Sequence, residues 1–315
     1  SSIVMKSALR YLTGIAGPSG YGSKSNAEKV AKDCASSAHH LTAIITGATS
    51  GIGAETARAL AKVGVRIVLP SRNLKRAAEI KEKIQIECPT TEIIVLEADL
   101  SSLASVKKCC NDFLSLGLPL NILINNAGIF SHNLEFSIDK IEMTLATNYV
   151  GHFLMTEILL EKMVKTAEET GIQGRIINLS SVVHAWVSKD HFCLNHMVNP
   201  KQFNGTQAYT QTKLASILHA KEVTKQLKAR NAKVTINAVH PGIVKTGIIK
   251  GVITDTMYFI ASRLLKSPSQ GASTTCFVAL SNQTLGISGE YYADCNKHGY
   301  SLLAKDEKVA CRLWT

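Results

Sequence analysis

Short apolar segments alternate with longer amphipathic segments from Leu41 onward. The apolar segments are rich in β-branched residues and nearly continuous, which is typical of strands covered on both faces. This alternation predicts a parallel sheet with right-handed crossovers, and therefore a single, doubly wound α/β domain with helices on both faces. The predicted strands are 41–46, 65–70, 92–97, 120–125, 175–180 and 234–239, and the predicted helices are 52–63, 73–87, 101–115, 139–166 and 208–230.

The two ends of the chain depart from this alternation. Residues 1–40 are turn-rich and polar, and no strand precedes their glycines, so we expect an N-terminal arm or short helix that packs on the domain. The segment lacks the compact apolar stretch of a secretory signal, and a removed organelle transit peptide before it stays open. Residues 289–295 are expected to add one more edge strand, so that the domain spans 41–315.

Composition is that of a globular protein with a sizeable core. Of the 315 residues 45% are hydrophobic, and no apolar run reaches the roughly 18–20 residues of a membrane span. The eight cysteines include no C-x-x-C pair, so we expect reduced thiols in an intracellular compartment. The net charge of +11 is dispersed and aromatic residues make up only 6%, which argues against a nucleic-acid partner.

A glycine-rich segment, TGATSGIG at 46–53, joins the first predicted strand to the first predicted helix. A strand–turn–helix junction of this kind places backbone N–H groups where a pyrophosphate can bind. The first glycine can form the tight turn, the second lets the backbone approach phosphate, and the third lets the helix close on the sheet. A turn without a ligand is the alternative. The residues expected to bind a dinucleotide here are Gly47, Thr49, Ser50, Gly51, Ile52 and Gly53.

The end of the second predicted strand indicates which dinucleotide binds. An acidic residue at this point would bind the ribose 2′-hydroxyl of NAD. The sequence instead reads SRN, Ser71 to Asn73. Arg72 offers a planar donor fork for a 2′-phosphate, with Ser71 as a neutral donor and Lys75 or Arg76 as added charge. We therefore expect NADP(H) rather than NAD(H), with a solvated basic helix start as the alternative.

Four more motifs follow later strands: NNAG at 125–128, SSVVH at 180–184, YTQTK at 209–213 and HPGIVKTG at 240–247. Over residues 41–295 the set resembles the short-chain dehydrogenase/reductase family, in particular its retinol-dehydrogenase-like members. The N-terminal MKSALRYLTGIAGPSGYGS resembles plant members associated with the chloroplast inner-envelope translocon. The resemblance implies a Rossmann-like, NADP(H)-dependent oxidoreductase that interconverts a carbonyl and a primary or secondary alcohol. It also implies a chloroplast location, with the cytoplasm as the alternative.

The candidate acid–base group is Tyr209, which shares one helix face with Lys213 four residues later. A nearby ammonium and an oxidised nicotinamide would favour the phenolate and lower a pKa that is ordinarily about 10. A chance Tyr-x-x-x-Lys pair is the alternative. The resemblance implies that Ser181, rather than Ser180, stabilises the carbonyl oxygen and that Lys213 also holds the nicotinamide ribose. It further implies that Asn148 anchors a relay water, with a satisfied helix kink as the alternative.

The same resemblance implies further cofactor contacts. Asp99, with Leu100 beside it, would contact the adenine, and the NNAG segment would form a shelf beside the adenosine. HPGIVKTG would lie against the nicotinamide. Ser50 departs from the family's pattern, because many NADP-dependent members have a basic residue there. The prediction of NADP(H) therefore depends more strongly on Arg72. The residues implied in the shelf and the nicotinamide segment are Asn125, Asn126, Ala127, Gly128, Pro241, Gly242 and Thr246.

Substrate and partners are the least specified. Segments 184–207 and 247–267 are expected to be substrate loops, and their bulky apolar residues favour a small hydrophobic carbonyl or alcohol, although core packing also explains them. Three histidines, at 184, 191 and 196, have no helical spacing, so no metal is expected. Segment 251–266 is amphipathic enough for a membrane surface or calmodulin, so the alternative function is an NADP(H)-bound redox sensor or scaffold. Helices 101–115 and 139–166 could form a homodimer. The apolar loop residues are Trp186, Phe192, Met197, Met257, Tyr258 and Phe259.

Overall fold

The computed structural model describes residues 10–35, 40–187, 201, 203–244, 265–306 and 308–309. Eight strands lie within them: β1 Thr42–Ile45, β2 Arg66–Ser71, β3 Ile93–Glu97, β4 Ile122–Asn125, β5 Gly174–Leu179, β6 Val234–His240, β7 Tyr291–Ala293 and β8 Asn296–Lys297. They form one sheet in the order β3-β2-β1-β4-β5-β6-β7-β8, in which only β8 runs antiparallel. The doubly wound parallel sheet expected from the sequence is confirmed.

The helices cover both faces of this sheet, since consecutive strand residues point to opposite sides. Ile45 packs in a cluster with Leu60 and Phe277, whereas its neighbour Ile44 packs with Leu159 and others on the opposite face. The helices are α1 Ala27–Cys34, α2 Gly51–Lys62, α3 Leu74–Glu87, α4 Leu103–Ser115, α5 Met143–Leu145, α6 Gly151–Thr170, α7 Gly205–Ala229 and α8 Pro268–Leu280. No helix in these described parts is long and apolar enough to cross a bilayer.

Three elements differ from the sequence-based expectation. The helix expected over 139–166 begins at Met143, ends at Thr170 and contains a π-helical turn, Ala146–Val150, between α5 and α6. The strand expected at the sheet edge is β7, but it pairs on both sides, and the two-residue β8 forms the edge. Helix α8 was not expected, because ten of its thirteen residues are buried and leave no amphipathic period.

The N-terminal arm contains a helix that joins the main core. Asn26 caps α1, whose Val30 and Ala31 are fully buried in the same cluster as α2 and α8. The arm is also joined to the far end of the sheet, since the Asn296 side chain accepts from the Ser19 N–H and donates to the Tyr21 carbonyl. Helix α1 is therefore part of the main core, whereas residues 10–20 lie on the surface.

Candidate active site

The motifs found in the sequence converge on one edge of the sheet. They follow the carboxyl ends of β1, β2, β4, β5 and β6, and the strand order reverses where β1 lies between β2 and β4. In doubly wound sheets the ligand crevice opens at such a reversal. The side chains at this edge are therefore the ones to compare with the sequence-based predictions.

The glycine-rich turn after β1 needs its glycines for conformation and for space. Gly47 has φ of +66°, and a Cβ there would lie 2.7 Å from the Cα of Ala127. A Cβ on Gly53 would lie 2.4 Å from the carbonyl oxygen of Gly47. The turn therefore packs directly on the segment that follows β4, and no larger residue fits at either position without displacing backbone.

Helix α2 begins without a side-chain cap. Ser50 occupies its N-cap position but makes no capping hydrogen bond, and the first turn contains no acidic residue. Six other described helices are capped by a side chain, from Asn26, Asn73, Ser102, Glu142, Asn204 and Ser267. The first N–H groups of α2 and its positive dipole end are thus left for an anion, and they fit a dinucleotide diphosphate.

The NNAG segment is fixed to the glycine-rich turn by Thr46. Its Oγ1 accepts the backbone N–H groups of Asn126 and Ala127, each at 3.0 Å, and the Asn126 side chain donates to the Thr46 carbonyl at 2.8 Å. The side chain of Asn125 turns the other way. It is 3% exposed and donates to Asn178 and Thr156, so it connects strands and helices rather than facing the crevice.

At the end of β2, one basic side chain is left exposed. The Ser71 hydroxyl accepts the Asn73 N–H at 3.1 Å, and the Asn73 side chain caps α3. Arg72 is exposed and has no hydrogen bond or ion pair to any other described residue. Arg76 donates from Nε to the Thr49 carbonyl at 3.2 Å and so joins α3 to the glycine-rich turn. Sequence reasoning had counted Arg76 only as added charge.

The remaining predicted cofactor residues lie at the same edge. Asp99 and Leu100 follow β3 and are half-buried, and an Asp99 carboxylate oxygen accepts both the N–H and the hydroxyl of Ser101. Pro241 and Gly242 follow β6, and Gly242 has φ of +85°. Thr246 and segment 251–264 lie outside the described residues, so their predicted contacts stay predictions.

Tyr209 and Lys213 lie one turn apart near the start of α7, with Lys213 Nζ 5.3 Å from the centre of the Tyr209 ring. Nζ donates to the Leu179 carbonyl at 3.1 Å, and no carboxylate of the described chain lies within ion-pair distance. Burial lowers the pKa of Lys213 to about 8 and raises the pKa of Tyr209 to about 12. The predicted lowering of the tyrosine pKa is thus absent from the protein alone, where desolvation dominates.

The two serines after β5 have different surroundings. Ser180 is 2% exposed and donates its hydroxyl to the Lys213 carbonyl at 2.6 Å, so it fixes β5 to α7. Ser181 is half-buried and begins a short 3₁₀ helix, Val182–Trp186. Its carbonyl accepts from Nδ1 of the buried His184, whose Nε2 in turn accepts the Ser301 N–H at 3.1 Å. The Ser181 hydroxyl accepts the Val183 N–H at 3.5 Å, so its own hydrogen stays available to donate.

Asn148 is the central residue of the π-helical turn. It is 3% exposed, and its side chain exchanges two hydrogen bonds with the backbone of Ile129 and donates to Thr212. A Cβ on Gly128 would lie 3.5 Å from Lys213 Nζ and 3.7 Å from Asn148 Oδ1, so both groups border the same small space. Asn148, on the π-helical turn, and Lys213, on α7, therefore both lie beside Gly128 of the NNAG segment.

The predicted substrate loops are described only at their ends. The 3₁₀ helix with Trp186 begins the first loop and α7 ends it at Gly205, while Phe192 and Met197 lie outside the described residues. Met257, Tyr258 and Phe259 also lie outside them. Within the described ranges, no three His, Cys, Asp or Glu side chains form a possible metal site, and His184 is engaged in hydrogen bonds.

Comparison with known proteins agrees with this arrangement. Residues 41–191 match the short chain dehydrogenase family. The chain is 43% identical to the chloroplastic short-chain dehydrogenase TIC 32 A of Brassica napus, over 96% of this chain and 95% of that protein. It is 34% identical to human retinol dehydrogenase 11, over 86% of this chain and 82% of that protein. The chain therefore belongs to the short-chain dehydrogenase/reductase family.

Solved structures show the same fold. An uncharacterized protein from Mycobacterium Paratuberculosis superposes with a TM-score of 0.70 at 26% identity, covering 90% of this chain and 94% of that one. The 3-ketoacyl-(acyl-carrier-protein) reductase of Brucella melitensis, solved with NADH, gives 0.64 at 24% identity over 82% and 97%. As a family member, the protein is an oxidoreductase that binds a nicotinamide dinucleotide and interconverts a carbonyl and an alcohol on a small molecule.

Proposed function

We propose that this protein is an NADP(H)-dependent oxidoreductase whose proton donor in carbonyl reduction is Tyr209. The observation that carries the proposal is Lys213, a buried lysine with no carboxylate of a described residue within ion-pair distance, one helical turn from that tyrosine. Burying an unpaired cation is costly. Such a cost at a crevice indicates a lysine kept for chemistry rather than for stability.

The preference for NADP(H) rests on Arg72. Its guanidinium is exposed and unpaired within the described chain, and no acidic residue follows β2 to bind a ribose 2′-hydroxyl. Arg76, held against the Thr49 carbonyl, adds a second positive charge nearby. A guanidinium pairs with phosphate through two parallel hydrogen bonds, which favours the cofactor that carries a 2′-phosphate.

The side chains divide the work as follows. When bound, the cofactor supplies the hydride and, in its oxidised form, a positive charge. Tyr209 protonates the forming alkoxide, and Ser181 donates a hydrogen bond to the same oxygen. Lys213 holds the nicotinamide ribose and stabilises the phenolate. Asn148, which borders the same space as Lys213, anchors the water that returns a proton to the lysine.

The substrate is a small, hydrophobic carbonyl or its alcohol. Val182, Trp186 and Ile243 support this, because these apolar side chains follow β5 and β6 at the crevice edge and are at least 41% exposed. Similarity to a retinol dehydrogenase favours the same class.

We also propose a chloroplast location, supported by the chloroplastic relatives from Brassica napus. A fluorescent fusion of the protein expressed from its own gene, imaged in leaf cells, tests this, and a diffuse cytoplasmic signal would contradict the proposal.

Cofactor preference is tested by fluorescence titration with NADPH and NADH. Replacing Arg72 by Ala should weaken NADPH binding roughly 30-fold, since a charge-assisted hydrogen bond to phosphate is lost, and change NADH binding less than about twofold. Lys75→Ala is the matched control, because it removes a neighbouring exposed charge. Equal losses for both cofactors in Arg72→Ala would contradict the preference.

Catalysis is tested by following NADPH absorbance with retinal, steroid ketones and aliphatic aldehydes. Tyr209→Phe should abolish turnover while NADPH still binds within about threefold of the wild type, because only the hydroxyl is removed. Full activity in this variant would overturn the assignment of Tyr209. Tight NADPH binding without turnover of any carbonyl would favour the sensor or scaffold alternative.

A further inference from the structure

A buried histidine connects the two halves of the crevice, and none of the roles proposed above uses it. His152 lies one turn after Asn148, at the start of α6, and is 5% exposed. Its Nε2 lies 2.7 Å from Thr46 Oγ1, and its Nδ1 lies 3.1 Å from the carbonyl oxygen of Asn148. The His152 ring therefore connects Thr46, which holds the NNAG shelf, with Asn148, which is proposed to anchor the relay water.

The partners of His152 fix its protonation. The carbonyl of Asn148 can only accept, so Nδ1 carries a hydrogen. Thr46 Oγ1 already accepts two backbone N–H groups, from Asn126 and Ala127, so its own hydrogen is donated. Two acceptors lie within reach, the Ile124 carbonyl at 3.4 Å and His152 Nε2 at 2.7 Å, and the much shorter distance assigns the hydrogen to Nε2. Both ends of the ring thus specify the same neutral tautomer, with hydrogen on Nδ1 and a lone pair on Nε2.

The same partners oppose a charged ring. An imidazolium would aim a second N–H at a threonine oxygen whose lone pairs are already used. Burial lowers the pKa of His152 to about 4, against the opposing effect of the Asn148 carbonyl, and the charge of nearby Lys213 lowers it further. His152 is therefore neither acid nor base near neutral pH, and its effect on the reaction has to come from its two hydrogen bonds.

The backbone at Asn148 explains why such a connection matters. The π-helical turn widens the spacing of successive backbone groups around this residue. The Asn148 side chain is held by Ile129 and Thr212 on one side, and His152 holds its carbonyl on the other. The ring is thus a direct side-chain link between the Asn148 carbonyl and Thr46, which supports the shelf.

We propose that His152 is a positioning residue that fixes the position of the NNAG shelf relative to Asn148. Its Nε2 side supports the shelf through Thr46, and its Nδ1 side supports Asn148. The inference rests on the proposed function, because the shelf has to hold NADP(H) and Asn148 has to serve proton transfer. It predicts that the two hydrogen bonds affect different steps.

Two conservative variants separate the hydrogen bonds. In His152→Asn, the amide nitrogen takes the place of Nδ1, so the Asn148 bond is kept and the Thr46 bond is lost. In His152→Gln, the longer side chain places an acceptor near the Nε2 position, so the Thr46 bond is kept and the Asn148 bond is lost. We expect His152→Asn to weaken NADPH binding roughly tenfold with kcat within about twofold, and His152→Gln to show the opposite.

The tautomer is tested without cofactor or activity. Nitrogen NMR of the ¹⁵N-labelled wild-type protein should show at least two histidines with a protonated Nδ1 and a bare Nε2, His184 and His152. The His152 ring should be unchanged between about pH 8 and pH 6. Its signals should be absent from His152→Gln, which assigns them. If the ring assigned to His152 carries its hydrogen on Nε2, or titrates in this range, the proposal is wrong. His152→Asn gives the same assignment where His152→Gln does not fold.

A second buried histidine provides the control. His219 is 3% exposed, contacts the Asn178 side chain through Nδ1 and packs against the rings of Tyr149 and Phe153. We expect His219→Gln to lower the Tm while kcat and the NADPH Kd stay within about twofold. If both His152 variants lose binding and turnover to the same extent, His152 only fills space and the proposal is wrong. If the wild type binds NADPH but reduces no carbonyl, the proposed function fails, while the NMR and binding measurements still decide the role of His152.

Discussion

Two lysines of this protein are equally buried but have opposite surroundings. Lys213, in the crevice, is 5% exposed, and Lys266, at the end of the second predicted substrate loop, is 3% exposed. Lys266 Nζ forms an ion pair with Asp294 at 2.5 Å and lies over the ring of Tyr11. Lys213 Nζ has the Leu179 carbonyl and the face of Tyr209, and no carboxylate of the described residues pairs with it.

The difference separates a lysine used for structure from a lysine kept for chemistry. Lys266 joins the N-terminal arm to the base of the second loop, where its N–H also donates to the Ile243 carbonyl and its stem packs on Gly242. Its charge is compensated, so it can stay buried at little cost. Lys213 stays buried although its charge is not compensated, and its ammonium is therefore free to act on Tyr209 and a bound ribose.

The largest expected effect comes from removing the uncompensated lysine. Lys213→Met should lower kcat roughly 10³-fold, because the phenol then loses the group that stabilises its charged form. The Tm should not fall, since an apolar side chain of similar length replaces a desolvated cation. Steady-state kinetics and calorimetry on the same preparation measure both quantities.

Lys266→Met is the matched control for this experiment, since it makes the same chemical change at an equally buried position. Its kcat should fall less than about threefold. A parallel loss of Tm in both variants would mean that the two lysines have the same structural role.

The second effect is a pH dependence of stability. The pKa of Lys213 is about 8 in the fold and 10.5 as the ordinary lysine value. Between these values the unfolded chain binds more protons, so the free energy of unfolding rises with pH in this window. The difference corresponds to roughly 3 kcal/mol, which is fully present above pH 10.5 and lost as the pH falls through 8.

Urea unfolding of the wild type and Lys213→Met at about pH 7.5, 9 and 10.5 measures this effect. The advantage of the methionine variant should shrink as the pH rises, and the titrations of all other groups cancel in the comparison. A constant difference across the window would show that Lys213 is not desolvated in the folded protein.

The sequence was sufficient for elements whose apolar residues have a clear pattern. Strands such as β1 and β5 are short apolar runs, and glycines at 47, 51 and 53 fix the first turn. Helix α8 was not predicted, because its Ala, Ser and Thr residues are buried on all sides and give no amphipathic pattern. The Ser267–Gln270 capping box does indicate its start. The two-residue β8 is too short to leave any pattern.

In the site, residues could be predicted from the sequence where they lie one helical turn apart or directly after a strand. Tyr209 and Lys213 lie four residues apart, and Arg72 directly follows a strand. His152 could not be found in this way, because its partner Thr46 is 106 residues away in the chain. The different directions of Asn125 and Asn126 follow from strand alternation at the end of β4, which a motif alone does not show.

The third expected effect comes from making Lys266 resemble Lys213. Asp294→Asn removes the carboxylate and keeps the backbone, since Asp294 has φ of +50° and Asn also tolerates this left-handed conformation. Lys266 would be left desolvated with only the Tyr11 ring, 5.9 Å from Nζ. We expect a loss of about 2 kcal/mol in the free energy of unfolding, measured by urea titration at neutral pH. No loss would mean that the ion pair does not compensate the buried charge.

The smallest expected effect comes from removing the same ion pair at its other end. Lys266→Met leaves Asp294, whose side chain is 27% exposed and can be hydrated, so only about 1 kcal/mol should be lost. The methionine also fills the space against Gly242 that the lysine stem occupies. Asp294→Asn should lower the free energy of unfolding more than Lys266→Met, because it leaves the buried Lys266 unpaired, whereas Lys266→Met leaves the partly exposed Asp294 unpaired. The reverse order in urea unfolding would show that Lys266 stabilises the fold through its packing rather than through a compensated charge, and the contrast with Lys213 would then lose its electrostatic basis.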